Sequence, residues 1–260
     1  PGSGYLDRWD MPAEPGCVAP ARSGGVLDGW VVVLRDRVCR ATDWGGELHE
    51  IARLPIDPAN ERGNDGRCDA QGRLWVGTIH EPASGPRQPV GALYCVDASS
   101  GTTVVRQVLS GVANANGLAW SPDRRTMYWA DTPTHTVKRY PCDVNGNPQG
   151  EGEVFIRFDP KPEGWQPGEP GYGGRPDGAA VDVDGNYWCA MFEGGRVLQI
   201  SPRADILAQH YTPALCPTMP CFGGSDGRTL YLTSARHGRS KEELAQLPLS
   251  GCVFAMRVGV

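Results

Sequence analysis

The sequence predicts an all-β protein, a six-bladed β-propeller whose first blade is incomplete at the N-terminus. Three observations lead to that class. A unit made of an Asp- or Gly-containing turn, a short aromatic or β-branched strand and a small residue recurs five times in 260 residues. Its interval lies near the ~40–50 residues of a propeller blade. The 35 glycines and 23 prolines follow no collagen-like period, as many turns between short elements require, while eight Trp and eight Tyr supply a core.

The five units are "SGGVLDGWVVVL" (23–34), "DAQGRLWVGT" (69–78), "SPDRRTMYWADT" (121–132), "DVDGNYWCAMF" (182–192) and "GSDGRTLYLTSA" (224–235). Their markers Trp30, Trp75, Tyr128, Tyr187 and Leu230 stand 45, 53, 59 and 43 residues apart. Further strand-like runs follow, among them "ALYCVD" (92–97), "TVKRYP" (136–141), "RVLQIS" (196–201) and "GCVFAMRV" (251–258). Such a small sheet cannot bury both faces alone, so blades stack around an axis. Helical signal is confined to "SKEELAQL" (240–247), two turns at most and read as part of a surface loop. The segment 157–178, rich in Gly and Pro but carrying Trp165 and Tyr172, reads as an ordered loop near a site. "YLDRWDM" (5–11) reads as the outer strand of a blade whose earlier strands are not in the sequence, an opening compatible with a preceding targeting segment. Residues 1–260 are expected to form one propeller domain.

Composition narrows the partners. A net charge of −5 argues against nucleic acid and against a polybasic membrane role. The longest apolar run, "WVVVL", is far short of the ~20 residues of a membrane span. Nine cysteines without C-x-x-C spacing read as free thiols of a reducing, cytoplasmic compartment, with a local Cys216–Cys221 bond as the weaker alternative. The expected state is a monomer or a weak homo-oligomer.

Polar residues recur at blade spacing. "RGNDG" (62–66), "NANGLAWS" (114–121) and "RPDGAAVDVDG" (175–185) place Asn64, Asn116 and Asp177 52 and 61 residues apart, each read as lying just before an inner strand at one mouth of the channel. Each alone reads as a turn, since Asn, Asp and Gly tolerate positive φ. Three in register, two of them beside Arg62 and Arg175, read as a site. Converging amide and carboxylate oxygens suit a hard or borderline divalent cation, Ca, Mg, Mn, Zn or Fe. Other motifs fall away. "GGSDG" (223–227) precedes a strand, not the helix that a G-x-S-x-G nucleophile needs. "DVNGNP" and "DVDGNY" lack the distal Glu of a calcium loop. The five His show no H-x-x-x-H spacing, and Cys68 reads as a packed strand thiol.

The long motifs "RGNDGRCDAQGRLWVGT", "NGLAWSPDRRTMYWADT", "PDGAAVDVDGNYWCAMFEGGRVLQISP" and "CFGGSDGRTLYLTSAR" resemble the gluconolactonase, regucalcin and luciferin-regenerating-enzyme group of six-bladed propellers, over nearly the whole chain. The resemblance implies that Asn116 and Asp177 are metal ligands and that Asp177 is also the catalytic acid/base. It implies that Arg62 and Asn64 bind substrate, with Asp65 in support. Gly63 stands where the family has an aromatic residue, and the family's third ligand, a Glu in a G-E-G-P-like motif, has no counterpart in these 260 residues; Glu14 in "PAEPG" does not match. The implied activity is metal-dependent hydrolysis of a sugar lactone to the aldonic acid. The alternative is a non-catalytic calcium-binding or protein-interaction propeller.

Overall fold

The computed structural model describes residues 7–259 and divides the chain into two compact units, Pro1–Val112 and Ala113–Val260. Unit one holds two antiparallel sheets of consecutive strands. The first is β1 (Pro15–Ser23), β2 (Val26–Leu34), β3 (Arg37–Ala41) and β4 (His49–Arg53); the second is β5 (Glu61–Cys68), β6 (Leu74–His80), β7 (Gly91–Asp97) and β8 (Val104–Val112). Unit two holds three. They are β9 (Ala115–Trp120) to β12 (Glu153–Arg157) through β10 (Thr126–Asp131) and β11 (Thr136–Pro141); β13 (Arg175–Val181), β14 (Tyr187–Phe192), β15 (Arg196–Ile200) and β16 (Ile206–Tyr211); and the three-stranded β17 (Pro217–Gly223), β18 (Thr229–Ser234) and β19 (Phe254–Arg257). Each sheet is a meander, paired in chain order.

Five sheets are described, one for each recurring unit, and the sixth, incomplete blade expected ahead of them has no strand among the described residues. Of the supposed outer strand 5–11, residues 5 and 6 lie outside the described residues, and 7–11 form no strand. Trp9 and Met11 instead pack on the buried Val32, Leu34 and Cys39, and Trp9 meets Trp44 edge-on at 5.5 Å.

Burial explains the strand sequences. β14, "YWCAMF", is buried on both faces. Tyr187, Cys189 and Met191 join Tyr128, Val137, Phe155 and Leu198 in one cluster, while Trp188 and Ala190 join Leu230 and Leu232 in another. A strand lying between two neighbours reads as an apolar run instead of an alternation. In unit one, Val33, Val38, Leu74, Val76 and Tyr94 form the equivalent packing between its two sheets.

Hairpin aspartates pin these cores. Asp182 lies in the turn from β13 to β14 and is buried. It accepts from the backbone of Asp184 and Asn186, from Asn186 Nδ2 and, at 2.8 Å, from Trp188 Nε1. Asp69 repeats the device, accepting from Gln71 and Arg73 and, at 2.7 Å, from Trp75 Nε1. Asp143 of "DVNGNP" accepts from Asn145 and Asn147 in the same way. These Asp-rich runs are turn chemistry, as their lack of calcium-loop residues implied.

Other expectations are settled locally. "GGSDG" is the turn between β17 and β18. All nine cysteines are free thiols, and Cys68, expected to be packed, is exposed where β5 ends. Helix α1 (Lys241–Gln246) is more than loop: Ser240 caps it through Glu243 N, and the buried Glu243 pairs with Arg239 at 2.6 Å. No helix among the described residues is long and apolar enough to cross a membrane.

The turn staple yields a stability prediction. Asp182→Ala strips buried donors of Asn186 and Trp188 of their acceptor, at about 2–4 kcal/mol. Urea denaturation should show the unfolding free energy falling by that amount, with Trp188 emission shifted; a loss below about 0.5 kcal/mol would show that water replaces the carboxylate.

Candidate active site

The polar residues singled out by spacing lie inside the first strand of each sheet, not before it. The reason is a β-bulge at one position in all five. Gly63 pairs with Thr78 and Gly66 with Val76, so Asn64 and Asp65 together face a single residue. Pro176 pairs with Met191 and Ala179 with Cys189, setting Asp177 and Gly178 in the same place. Asn116 pairs with Ala130 and Ala119 with Tyr128, so Asn116 stands just ahead of its bulge. β1 and β17 carry the irregularity after Pro15 and Pro217. A bulge re-aims side chains and breaks period-two patterning.

In unit one the bulge builds an arginine clamp. Arg62 Nε donates to Glu81 Oε2 at 2.8 Å, and its Nη1 donates to Asn64 Oδ1 and to the Gly63 carbonyl, both at 3.1 Å. The Arg62 hydrogen bond holds the Glu81 carboxyl below its ordinary range, against the upward push of burial. Glu81 went unremarked in the sequence because it opens a Gly- and Pro-rich loop; its partner is 19 residues away. Asp65 is buried. Gly63 is required by close packing: a Cβ there would come within 2.6 Å of Val33 Cγ1 and 3.3 Å of the Arg35 carbonyl, so an aromatic in its place does not fit this backbone. Glu14 pairs with Arg35 at 3.2 Å and is mostly exposed, in keeping with its failure to match the family's ligand motif.

In unit two the bulges bring Asn116 and Asp177 onto neighbouring strands. Asn116 Nδ2 donates to Thr132 Oγ1 at 2.8 Å, and that hydroxyl donates to the Pro176 carbonyl at 2.7 Å. One buried hydroxyl thus links the Asn116 amide to the peptide immediately before Asp177. The strands touch at Gly117, whose φ is +61° and where a Cβ would lie 3.2 Å from the Asp177 carbonyl; Tyr187 closes the contact by donating to the Gly117 carbonyl at 2.7 Å. Thr132 escaped the sequence reading because its role depends on the turn after β10 folding back over β13.

The donor set suits a hard divalent cation. The Asn116 amide commits its nitrogen to Thr132, and an amide oxygen and a carboxylate are donors of the kind such a cation takes. Two oxygens match an ion that keeps most of its own water, fewer than the six to eight of a calcium cage. No group of three or more His, Cys, Asp or Glu that could hold a metal occurs among the described residues.

A charged layer borders this pair. Glu193, just after β14, has a buried carboxylate ringed by Lys161 at 3.1 Å, Arg175 at 3.3 Å and Arg239 at 3.2 Å. Burial pushes its pKa up, but the three cations outweigh that and hold it below the carboxylate norm. Beside them His135 Nδ1 donates to the Pro133 carbonyl at 3.2 Å, leaving Nε2 to accept from the Tyr172 hydroxyl at 2.7 Å. Burial pushes the Tyr172 hydroxyl up to about 12, so it stays a donor. Tyr172 packs on Trp165 at 5.0 Å, which orders the loop 157–178 as expected.

Comparison with known proteins follows the geometry. The fold is that of the all-β propellers: the chain superposes on a calcium-binding protein, regucalcin, from Agrobacterium tumefaciens with a TM-score of 0.81 and 27% identity, covering 95% of this chain and 76% of that one. The family model described as the SMP-30/Gluconolactonase/LRE-like region matches residues 1–236, and the chain belongs to that family. It is 44% identical to a 6-deoxy-6-sulfogluconolactonase of Pseudomonas putida, over 100% of this chain and 82% of that protein, and 34% identical to regucalcin of Danio rerio over 92% and 75%.

Two predictions follow from the buried polar contacts. Thr132→Val keeps shape but leaves the Asn116 amide and the Pro176 carbonyl without their bridge, and should cost about 1–3 kcal/mol in urea denaturation. His135 and His210 are both pushed below 6.5 by burial, His135 further by the Arg175 cation. Their folded pKa values lie under the unfolded one, so the unfolded chain binds more protons as pH drops through about 6.5. Stability is full above that pH and should decline below it; a His135→Gln, His210→Gln double variant should flatten the curve between pH 7 and 5.5.

Proposed function

We propose that this chain is a metal-dependent lactonase that opens a sugar lactone to the aldonic acid. The observation that carries the reading is the Asn116–Thr132–Pro176 bridge. It ties the Asn116 amide to the peptide just before Asp177, across neighbouring bulged strands, in a chain that resembles a sulfogluconolactonase at 44% identity. The whole chain, 1–260, is read as one domain of a six-bladed ring, a cytoplasmic enzyme acting on a small sugar.

Asn116 and Asp177 hold one divalent cation, and the regucalcin relatives favour calcium. When bound, that cation supplies positive charge for the lactone carbonyl oxygen. Asp177 takes a proton from the attacking water as its oxygen bonds to the carbonyl carbon. As the bond from that carbon to the ring oxygen breaks, Asp177 returns the proton to the departing oxygen, giving hydroxyl and acid. Arg62, held by Glu81, and Asn64 orient sugar hydroxyls, with Asp65 supporting their strand. The name of the Pseudomonas putida relative points to a sugar with a sulfonate at its sixth carbon, so charged lactones fall within the substrate class.

A second reading, a calcium-binding propeller without catalysis, draws on the description of the Agrobacterium tumefaciens structure. One assay separates them: aldonolactones incubated with the protein, with and without EDTA, and acid release followed. Metal-dependent release supports the enzyme; none supports the binding module. Asp177→Asn should lower kcat at least about a thousandfold while the denaturation midpoint stays near wild type. Turnover near wild type would refute the role given to Asp177.

A further inference from the structure

We propose that Lys161 and Arg175 form a subsite for a tetrahedral oxyanion, a sulfonate or phosphate, carried on the sugar at the end remote from the lactone carbonyl. The inference rests on the lactonase reading and adds to it the residues that hold a charged end of the sugar.

The ion pairs around Glu193 gather more cations than carboxylates. Three cations, Lys161, Arg175 and Arg239, meet two carboxylates, Glu193 and Glu243. Arg239 spans both acids and is 10% exposed, so it is consumed inside the protein. Lys161 and Arg175 share Glu193 with it, and their side chains are 34% and 29% exposed. Both retain donors. Lys161 Nζ spends two of its three N–H groups on Glu193, and Arg175, with five N–H groups, turns one nitrogen toward Glu193 and also hydrogen-bonds Tyr172. A network built only to stabilise has no need of the extra cation, since burying unmatched charge is costly.

The two cations are also held still. Lys161 sits over the Trp165 ring at 4.9 Å and Arg175 over Phe192 at 5.1 Å. Side chains fixed before binding lose less freedom on binding. Arg175 opens β13 two residues ahead of Asp177, about 6.6 Å along a strand, a separation on the scale of a hexose chain. An oxyanion has enough oxygens to accept from an ammonium and a guanidinium together, which an uncharged sugar terminus cannot match.

The test compares the 6-sulfonate, the 6-phosphate and the unsubstituted form of gluconolactone on wild type, Lys161→Gln and Lys161→Arg. Glu193 keeps Arg175 and Arg239 in each variant, and denaturation midpoints check folding. In wild type kcat/KM should favour the anionic lactones about tenfold or more. Lys161→Gln should cut that ratio about tenfold, and Lys161→Arg should restore most of it. Comparable ratios for both anions indicate a general oxyanion site; preference for one names the group. A wild-type ratio near one, or a ratio that Lys161→Gln leaves in place, overturns the subsite while the lactonase stands. Calorimetric titration with 6-sulfogluconate and gluconate reads the subsite without turnover. If no lactone is opened but the sulfonate still binds more tightly, and Lys161→Gln removes the difference, the lactonase reading falls and the subsite survives; equal binding of the two acids overturns it.

Discussion

The bulge near the start of every inner strand is the constraint on which the rest of the structure depends. Two residues face one at Asn64–Asp65, Gly117–Leu118, Asp177–Gly178 and Thr218–Met219. At these points neighbouring inner strands come into contact, and the chain answers with small residues. A Cβ on Gly16 would lie 2.6 Å from the Gly63 carbonyl, and one on Gly178 would lie 2.7 Å from the Thr218 carbonyl. Within each unit the packing thus forces glycine next to the polar residue that the bulge re-aims. The Asn-Asp-Gly, Asn-Gly and Asp-Gly sequences carry turn residues for this reason, although none of them is a hairpin turn.

That fact separates what the sequence made legible from what it did not. Blade-sized repeats were legible because the second strands, such as "LWVGT" and "YWCAMF", are buried between neighbours and keep their aromatic and β-branched residues. The hairpin aspartates were legible as turns. The inner strands were not: "ERGNDGRC" and "RPDGAAV" show neither alternation nor an apolar run, because the bulge breaks the period and close approach excludes bulk. Arg62, Asn64 and Asp177 therefore read as residues before a strand when they are part of one. Glu81, Thr132 and Glu193 left no local signal at all. Each follows the second strand of its sheet, and each acquires its partner by folding back over an inner strand distant in sequence.

Those same three residues show how the scaffold and the polar layer are coupled. The loop after the second strand begins, in three of the sheets, beside the bulge of an inner strand. Glu81 reaches Arg62 within its own sheet, as Glu193 reaches Arg175 within its own. Thr132 instead crosses to the next sheet, joining Asn116 to the Pro176 carbonyl. The acid–arginine pair before the bulge is thus used twice, once in each unit; the first adds Arg87 at 3.7 Å, and the second adds Lys161 from a long loop and Arg239 from the segment leading into α1.

The doubling has a chemical consequence. In unit one, Glu81 is matched by Arg62 and, more loosely, by Arg87 at 3.7 Å, and it is 40% exposed, so solvent screens the group. In unit two, Glu193 is buried, its field is little screened, and every cation gathered round it adds to a potential that solvent does not dissipate. Two arginines preceding two bulges are alike in sequence and in backbone position, yet burial makes them unlike in electrostatics. Arg62 is locked toward its neighbours Glu81 and Asn64, a posture suited to orienting hydroxyls. Arg175 shares the buried Glu193 with Lys161 and Arg239, beside a histidine whose protonation the Arg175 cation opposes. The repeat supplies the same part to both units, and the loop inserted between β12 and β13 sets Lys161 and Tyr172 beside the second copy alone.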